Sequence, residues 1–212
     1  ESKLIEKRWA EEIKDLLEKS VCRRLVADVP VGVFLSGGLD STTIAYYASR
    51  YLPRGELKTF SIGFEDQTFD ETKWAQQAAN LLGTKHLVTL FRKNLLKTLL
   101  SELLEKLDEP LSDSSIVSQF LLCKKTKEKV TVALGGDGGD EIFAGYDTFK
   151  AIRFAKIIEN LLPRAIHPAI TKIIGIVPRS LSYMNFRFKL QRLLMGIGHK
   201  EALRQPLWLS PV

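Results

Sequence analysis

The sequence predicts an α/β fold: a doubly wound parallel sheet of about five strands with a helical C-terminal extension. Three observations point there. Short runs rich in β-branched and aromatic residues alternate with longer stretches of helical periodicity, the pattern of repeated strand–helix–strand units. One run, Val31–Leu35, is continuously apolar, as strands buried on both faces are. Two glycine-rich turns fall directly after such runs, where open parallel sheets place their ligands.

Taken in order, residues 1–27 form a leading helix, with Ile5, Trp9, Ile13, Leu16, Leu17, Val21 and Leu25 at helical spacing. Pro30 ends it, and Val31-Gly32-Val33-Phe34-Leu35 reads as a buried strand. Gly37-Gly38 opens a helix through Ile44, Ala45, Tyr47 and Ala48. Residues 57–62 form a second strand. Asp70 caps a helix carrying Trp74, Ala75, Ala78, Leu81 and Leu82, which Gly83 stops. Residues 85–90 form a third strand and 93–107 a leucine-rich helix that Asp108-Glu109-Pro110 breaks. Ser114 or Ser115 begins another helix, and residues 129–134 form the next strand. Residues 1–146 thus make an α/β core, and 147–212 an extension of helical segments punctuated by Pro163, Pro168, Pro178 and Pro206.

Composition narrows the classes. The chain has 212 residues, 45% hydrophobic and 26% charged, which excludes a disordered tail, a collagen-like fibre and a coiled coil. No apolar run approaches the roughly 20 residues of a membrane span, and the charged, amphipathic N-terminus is unlike a secretory leader. Cys22 and Cys123 lie far apart and form neither a disulfide framework nor a metal knuckle, so a reducing, cytoplasmic setting is expected. His86, His167 and His199 show no metal-ligand or triad spacing, and Trp9, Trp74 and Trp208 read as packing residues. Net charge is +6, divided as −2 over residues 1–146 and +8 over 147–212. The basic part reads as a solvated helical face, a surface for an acidic partner, or a nucleic-acid footprint.

The first glycine turn is Ser36-Gly37-Gly38-Leu39-Asp40-Ser41. No Gly-Lys-Ser/Thr follows, so it is not a Walker loop, and its adjacent glycines are not a dinucleotide fingerprint. Two glycines aim several N–H groups at one point, the following helix adds its positive end, and Ser36 and Ser41 add hydroxyls: a nest for pyrophosphate. Asp40 would repel phosphate unless Mg²⁺ bridges them. The alternative is a plain strand-to-helix turn, with Asp40 favouring the helix start. The second turn, Gly135-Gly136-Asp137-Gly138-Gly139-Asp140-Glu141, packs four glycines and three acids into seven residues. Asp140 and Glu141 suit a helix start; otherwise Asp140 joins Asp40 on Mg²⁺ and Asp137 faces the reacting group.

These motifs carry a resemblance. SGGLDS is similar to the pyrophosphate loop of N-type ATP pyrophosphatases. Together with VPVGVF, FSIGFED, FDETKWAQQAANLLGTKH, DEPLSDSS and ALGGDGGDEIFAGY, it resembles the synthetase domain of glutamine-hydrolysing asparagine synthetases over roughly residues 28–147. The resemblance implies the adenine nucleotide alpha hydrolase (HUP-like) form of the fold, with ATP and Mg²⁺ as cofactors. It implies amidation of aspartate: β-aspartyl-AMP forms with release of pyrophosphate, and ammonia then displaces AMP. It assigns Leu35, Ile62, Gly135 and Gly136 to the nucleotide. Asp137 stands where many members have Glu, a residue tied to forming the acyl-adenylate. Asp113, Ser114 and Ser115 fall in the segment lining the aspartate site, and Val117 where some relatives have arginine.

The expected partners are aspartate, ATP, ammonia, the glutaminase domain of a longer chain and a second copy of the chain; no nucleic acid and no membrane are expected. The family's N-terminal catalytic cysteine and its later lysine- and arginine-bearing segment do not occur in the sequence, so it reads as a fragment. The runner-up is a related pyrophosphate-loop enzyme acting on another acceptor, such as a β-lactam precursor, sugar, peptide, nucleotide precursor or tRNA base. A nucleic-acid-binding module built on the basic residues 147–212 comes last.

Overall fold

Four of the apolar runs become the strands of one parallel sheet. β1 is Val31–Phe34, β2 Lys58–Phe64, β3 Lys85–Phe91 and β4 Val132–Leu134. The computed structural model describes residues 2–109, 111, 113–146, 148, 149, 151, 152, 155–157, 193, 199, 203 and 204. The expected count of about five strands becomes four among these residues. Their order is β3-β2-β1-β4, every neighbouring pair parallel. The chain therefore starts in the middle of the sheet, winds outward through β2 and β3, then returns past β1 to lay down β4. That reversal makes the seam between β1 and β4 the topological switch point.

The sheet belongs to a first compact unit, Glu1–Asp137; Gly138–Val212 form a second. In the first unit, helices cover both faces. One face carries α1 (Ser2–Leu25), α2 (Leu39–Tyr51) and α3 (Thr72–Leu82). Their Val21, Ala45, Ala48, Ala75 and Ala79 pack on Val33, Leu35 and Leu57. The other face carries α4 (Leu96–Leu104) and α5 (Ser115–Thr126), whose Leu99, Leu103, Val117 and Leu121 meet Ile62 and Phe91. Small residues on α3 let that helix lie close to the strands. Gly83 stops it at φ +67, its N–H reaching back to Asn80 O at 3.3 Å, as the sequence expects. Beneath this face, His86 is held between Thr59 Oγ1 (2.9 Å) and Ser61 Oγ (3.1 Å), and burial pushes its pKa down.

The leading helix departs from expectation. Only Leu17, Val21 and Leu25 of its apolar stripe join the core; Ile5, Trp9, Ile13 and Leu16 are exposed. A 24-residue helix is about 36 Å long. The four residues of β1 rise only about 13 Å, so the N-terminal turns of α1 outrun the sheet. In the second unit, α6 (Gly139–Phe143) is followed by an Ala144 at φ +54, and Ala155 is buried against Ala151, Ile152 and Leu193. Residues 148, 149, 151, 152 and 155–157 are helical, as expected; most of the other helical segments expected over 147–212, and most of the basic residues there, lie outside the described residues.

Leu57, 2% exposed, sits in the core at the start of β2, whereas Leu81 on α3 is 85% exposed. Replacing Leu57 by Ala is expected to cost about 2–5 kcal/mol and Leu81→Ala less than about 0.5 kcal/mol, read from urea unfolding midpoints.

Candidate active site

Both glycine turns lie at the carboxyl edge of the sheet, on the two strands that flank the switch point. In the first turn, Gly37 has φ +84, and a Cβ there would lie 2.5–2.6 Å from the backbone of Trp74 and Ala75 in the first turn of α3. Glycine is thus required twice, for the dihedral and for the space. The serines brace the loop from inside. Ser36 Oγ and Ser41 Oγ share a hydrogen bond of 2.9 Å, the Ser36 N–H donates to Ser41 Oγ at 3.2 Å, and the Gly38 N–H donates to Ser36 Oγ at 3.2 Å. The two hydroxyls hold the loop in shape; Ser41 is buried and Ser36 exposed.

No side chain caps the helix that follows: its N-cap, Gly38, has no side chain to offer the N–H groups of the first turn, and the first intrahelical bond is Thr42 N–H to Gly38 O at 3.0 Å. The N–H groups of Leu39, Asp40 and Ser41 therefore lack helical acceptors and carry the positive end of the dipole. The Asp40 carboxylate is half-buried and has no hydrogen-bond or ion-pair partner among the described residues. One unengaged carboxylate beside an uncapped helix start is a donor set that fits Mg²⁺ shared with phosphate oxygens. Among the described residues no three His, Cys, Asp or Glu side chains cluster.

The second turn meets the first. A Cβ on Gly136 would lie 2.8 Å from Ser41 N and 3.0 Å from Asp40 C and Cβ. The backbone after β4 is therefore laid directly on the start of α2, an approach no larger residue allows. Gly135 is less confined: what lies over it is the carboxylate of the exposed Asp137, the mobile end of a side chain rather than backbone. Leu35, just below the loop, is 1% exposed. Its side chain is core, so only its backbone faces the site. Ile62 is half-buried on the opposite face. Asp140 opens the second unit.

The family model for asparagine synthase matches residues 12–209. The chain belongs to the asparagine synthase family. Glutamine-hydrolysing asparagine synthetase 1 of Bacillus subtilis is 33% identical over 83% of this chain and 27% of its own length. Glutamine-hydrolysing asparagine synthetase 3 of Arabidopsis thaliana is 34% identical over 63% of this chain and 25% of its own. The chain thus spans about a quarter of the length of these relatives. Among solved structures, NH3-dependent NAD synthetase from Campylobacter jejuni aligns at TM-score 0.42 and 15% identity, over 94% of this chain and 96% of that one.

The segment before α5 lies at the same edge of the sheet. α5 runs back toward the amino edge to feed β4, so its N-terminus, with Asp113, Ser114 and Ser115, lies at the same carboxyl edge as both turns. All three residues are exposed. Asp113 Oδ1 accepts the Ser115 N–H at 2.9 Å, and that bond holds its carboxyl below the usual range. Asp113 is therefore the helix cap in fact, while Ser114 makes no side-chain capping bond. Val117 is buried between α4 and α5 and contributes packing.

Asp70, expected at the start of α3, also reaches back to β2, which sequence reasoning missed. Asp70 clasps the end of β2 to the start of α3: Oδ1 accepts Phe64 N–H at 3.3 Å and Thr72 N–H at 3.4 Å, and Oδ2 accepts the Thr72 hydroxyl at 2.8 Å. α3 in turn abuts Gly37. Nor are Trp9 and Trp74 packing residues: they are 61% and 59% exposed. Spacing alone could not separate an indole turned outward from one turned in.

In the second unit, the Tyr146 hydroxyl donates to Glu141 Oε1 at 2.5 Å, which pushes the phenol up to about 12 and the carboxyl down. The raised phenol pKa means this bond stabilises fully below the ordinary value of 10 and is lost as pH rises through about 12. An absorbance titration, taken as the difference between wild type and Tyr146→Phe, should show that late ionisation, and Glu141→Gln should return it toward 10. A second expectation concerns the loop. Gly55 also has positive φ (+83) but nothing lies within 4 Å of its missing Cβ. Gly55→Ala should therefore cost only the dihedral strain, about 1–2 kcal/mol, whereas Gly37→Ala adds a clash with α3 backbone and should lower Tm further in calorimetry.

Proposed function

We propose that this chain carries the ATP-using site of an asparagine-forming ligase. The reading is that a side-chain carboxylate oxygen of aspartate attacks the α-phosphorus of ATP and pyrophosphate leaves. Ammonia then attacks the acyl carbon of β-aspartyl-AMP; AMP departs, a proton is lost and asparagine results. The observation that carries it is the meeting of Gly136 with Asp40 and Ser41 across the β1–β4 seam. It supports one site in which an anion nest and a second glycine turn close on the same ligand.

Each residue has a part in this proposal. The N–H groups of Leu39, Asp40 and Ser41 receive the departing pyrophosphate, charge-assisted bonds being worth roughly 1.5–3 kcal/mol each. Ser36 and Ser41 keep the loop ready for it. Mg²⁺, when bound, offsets charge on the pyrophosphate; Asp40 would hold it, and Asp140 is proposed as a second ligand on the sequence pattern alone. Gly135 and Gly136 let backbone lie against the nucleotide, near Leu35 and Ile62. Asp137, exposed at the end of β4, faces the reacting carboxylate. Asp113, Ser114 and Ser115 approach aspartate from the same edge. Ammonia is proposed to come from a glutaminase domain, as the relatives' glutamine-hydrolysing names suggest. A reducing, cytoplasmic setting is part of the proposal, on the sparse and scattered cysteines Cys22 and Cys123.

Calorimetry tests the metal role. Asp40→Asn is expected to weaken ATP binding about tenfold, or about 1.4 kcal/mol, when Mg²⁺ is present and to leave Mg²⁺-free binding unchanged; equal affinities with Mg²⁺ would remove Asp40 from the metal. The reaction itself is read as AMP and asparagine formed from aspartate, ATP, Mg²⁺ and ammonium.

A further inference from the structure

The indole of Trp74 is large, apolar and more than half exposed, so it offers a ring face beside the loop. Its position is well defined. The Trp74 backbone and Cβ lie 2.5–2.6 Å from where a Gly37 Cβ would be, so the side chain is rooted against the anion nest. Trp74 is in the first turn of α3, and the N-terminus of α3 lies at the carboxyl edge of the sheet. Helical side chains lean toward the N-terminus of their helix. The indole therefore leans to the edge where the nest opens. Lys73 Nζ stands 5.6 Å from the ring centroid over one face, at cation–π distance. Meanwhile the Leu35 side chain, expected beside the adenosine, is sealed in the core. A base above this site needs an apolar platform that Leu35 does not provide.

We propose that Trp74 is a nucleotide-positioning residue: its indole stacks on the purine of the ATP whose phosphates lie in the Ser36–Ser41 nest. The inference rests on the ATP reading given above and adds the residue that holds the base. Stacking on the ring face away from Lys73 leaves that ammonium over the other face. A π-face accepts any purine, so Trp74 contributes affinity for a base without selecting adenine over guanine.

The test compares ATP with inorganic tripolyphosphate, which has the phosphates and no base, by calorimetry with Mg²⁺ on the whole chain. Trp74→Ala is expected to weaken ATP binding about tenfold or more and to leave tripolyphosphate affinity unchanged; Trp74→Phe should recover most of the loss. Tryptophan fluorescence gives an independent readout: ATP should quench the wild type, tripolyphosphate should not, and the quenching should vanish in Trp74→Phe. Equal loss of ATP and tripolyphosphate in Trp74→Ala would overturn the proposal, since Trp74 would then merely support the loop. So would wild-type binding in which ATP has no advantage over tripolyphosphate, an outcome that leaves the anion nest intact. Wild type that binds neither ligand would overturn the ATP reading and this inference together.

Discussion

Everything at the carboxyl edge depends on one close approach. The backbone at Gly136 rests on the first turn of α2, with no room for even a methyl group between them. β1 and β4 must be neighbours for this contact to exist, and they are neighbours only because the chain reverses its winding after β3. Two turns almost a hundred residues apart in sequence are thereby brought within van der Waals distance. The sheet supplies the alignment, and the glycines supply the absence of side chains that lets the alignment be used.

A second tier of contacts makes that edge stiff. The loop after β1 is pressed between the strand below and the start of α3 beside it. α3 is tied to the end of β2 by the Asp70 carboxylate. Neither Asp70 nor Trp74 belongs to the nest, yet both sit on the chain of contacts that sets its shape. The exposed acids Asp137 and Asp113 lie on this rigid rim, while the apolar residues that would be assigned to a base by position, Leu35 above all, are committed to the core.

Much of this was legible in the sequence because the relevant signals are local. Unbroken runs such as Val31–Phe34 cannot bury both faces except in a parallel sheet, and glycine pairs after them mark turns whatever the fold. Gly83 as a helix stop and Asp70 near a helix start follow from backbone chemistry within a few residues. What escaped was non-local. The outward turn of Trp74 and the overhang of Ile5, Trp9, Ile13 and Leu16 each depend on how far a neighbouring element extends. Helical spacing reports which residues share a face; it does not report whether anything lies opposite.

The hydroxyl pair inside the first turn has a thermodynamic consequence. A glycine-rich loop in solution samples many conformations, and fixing each backbone residue costs roughly 1–2 kcal/mol of entropy. Here the Ser36 and Ser41 hydroxyls, with two backbone N–H groups, fix the loop during folding. An arriving anion meets a receptor already in shape, so its binding energy is not diverted into ordering the loop. The stability of the folded chain, rather than the affinity of the ligand, carries the cost of that order.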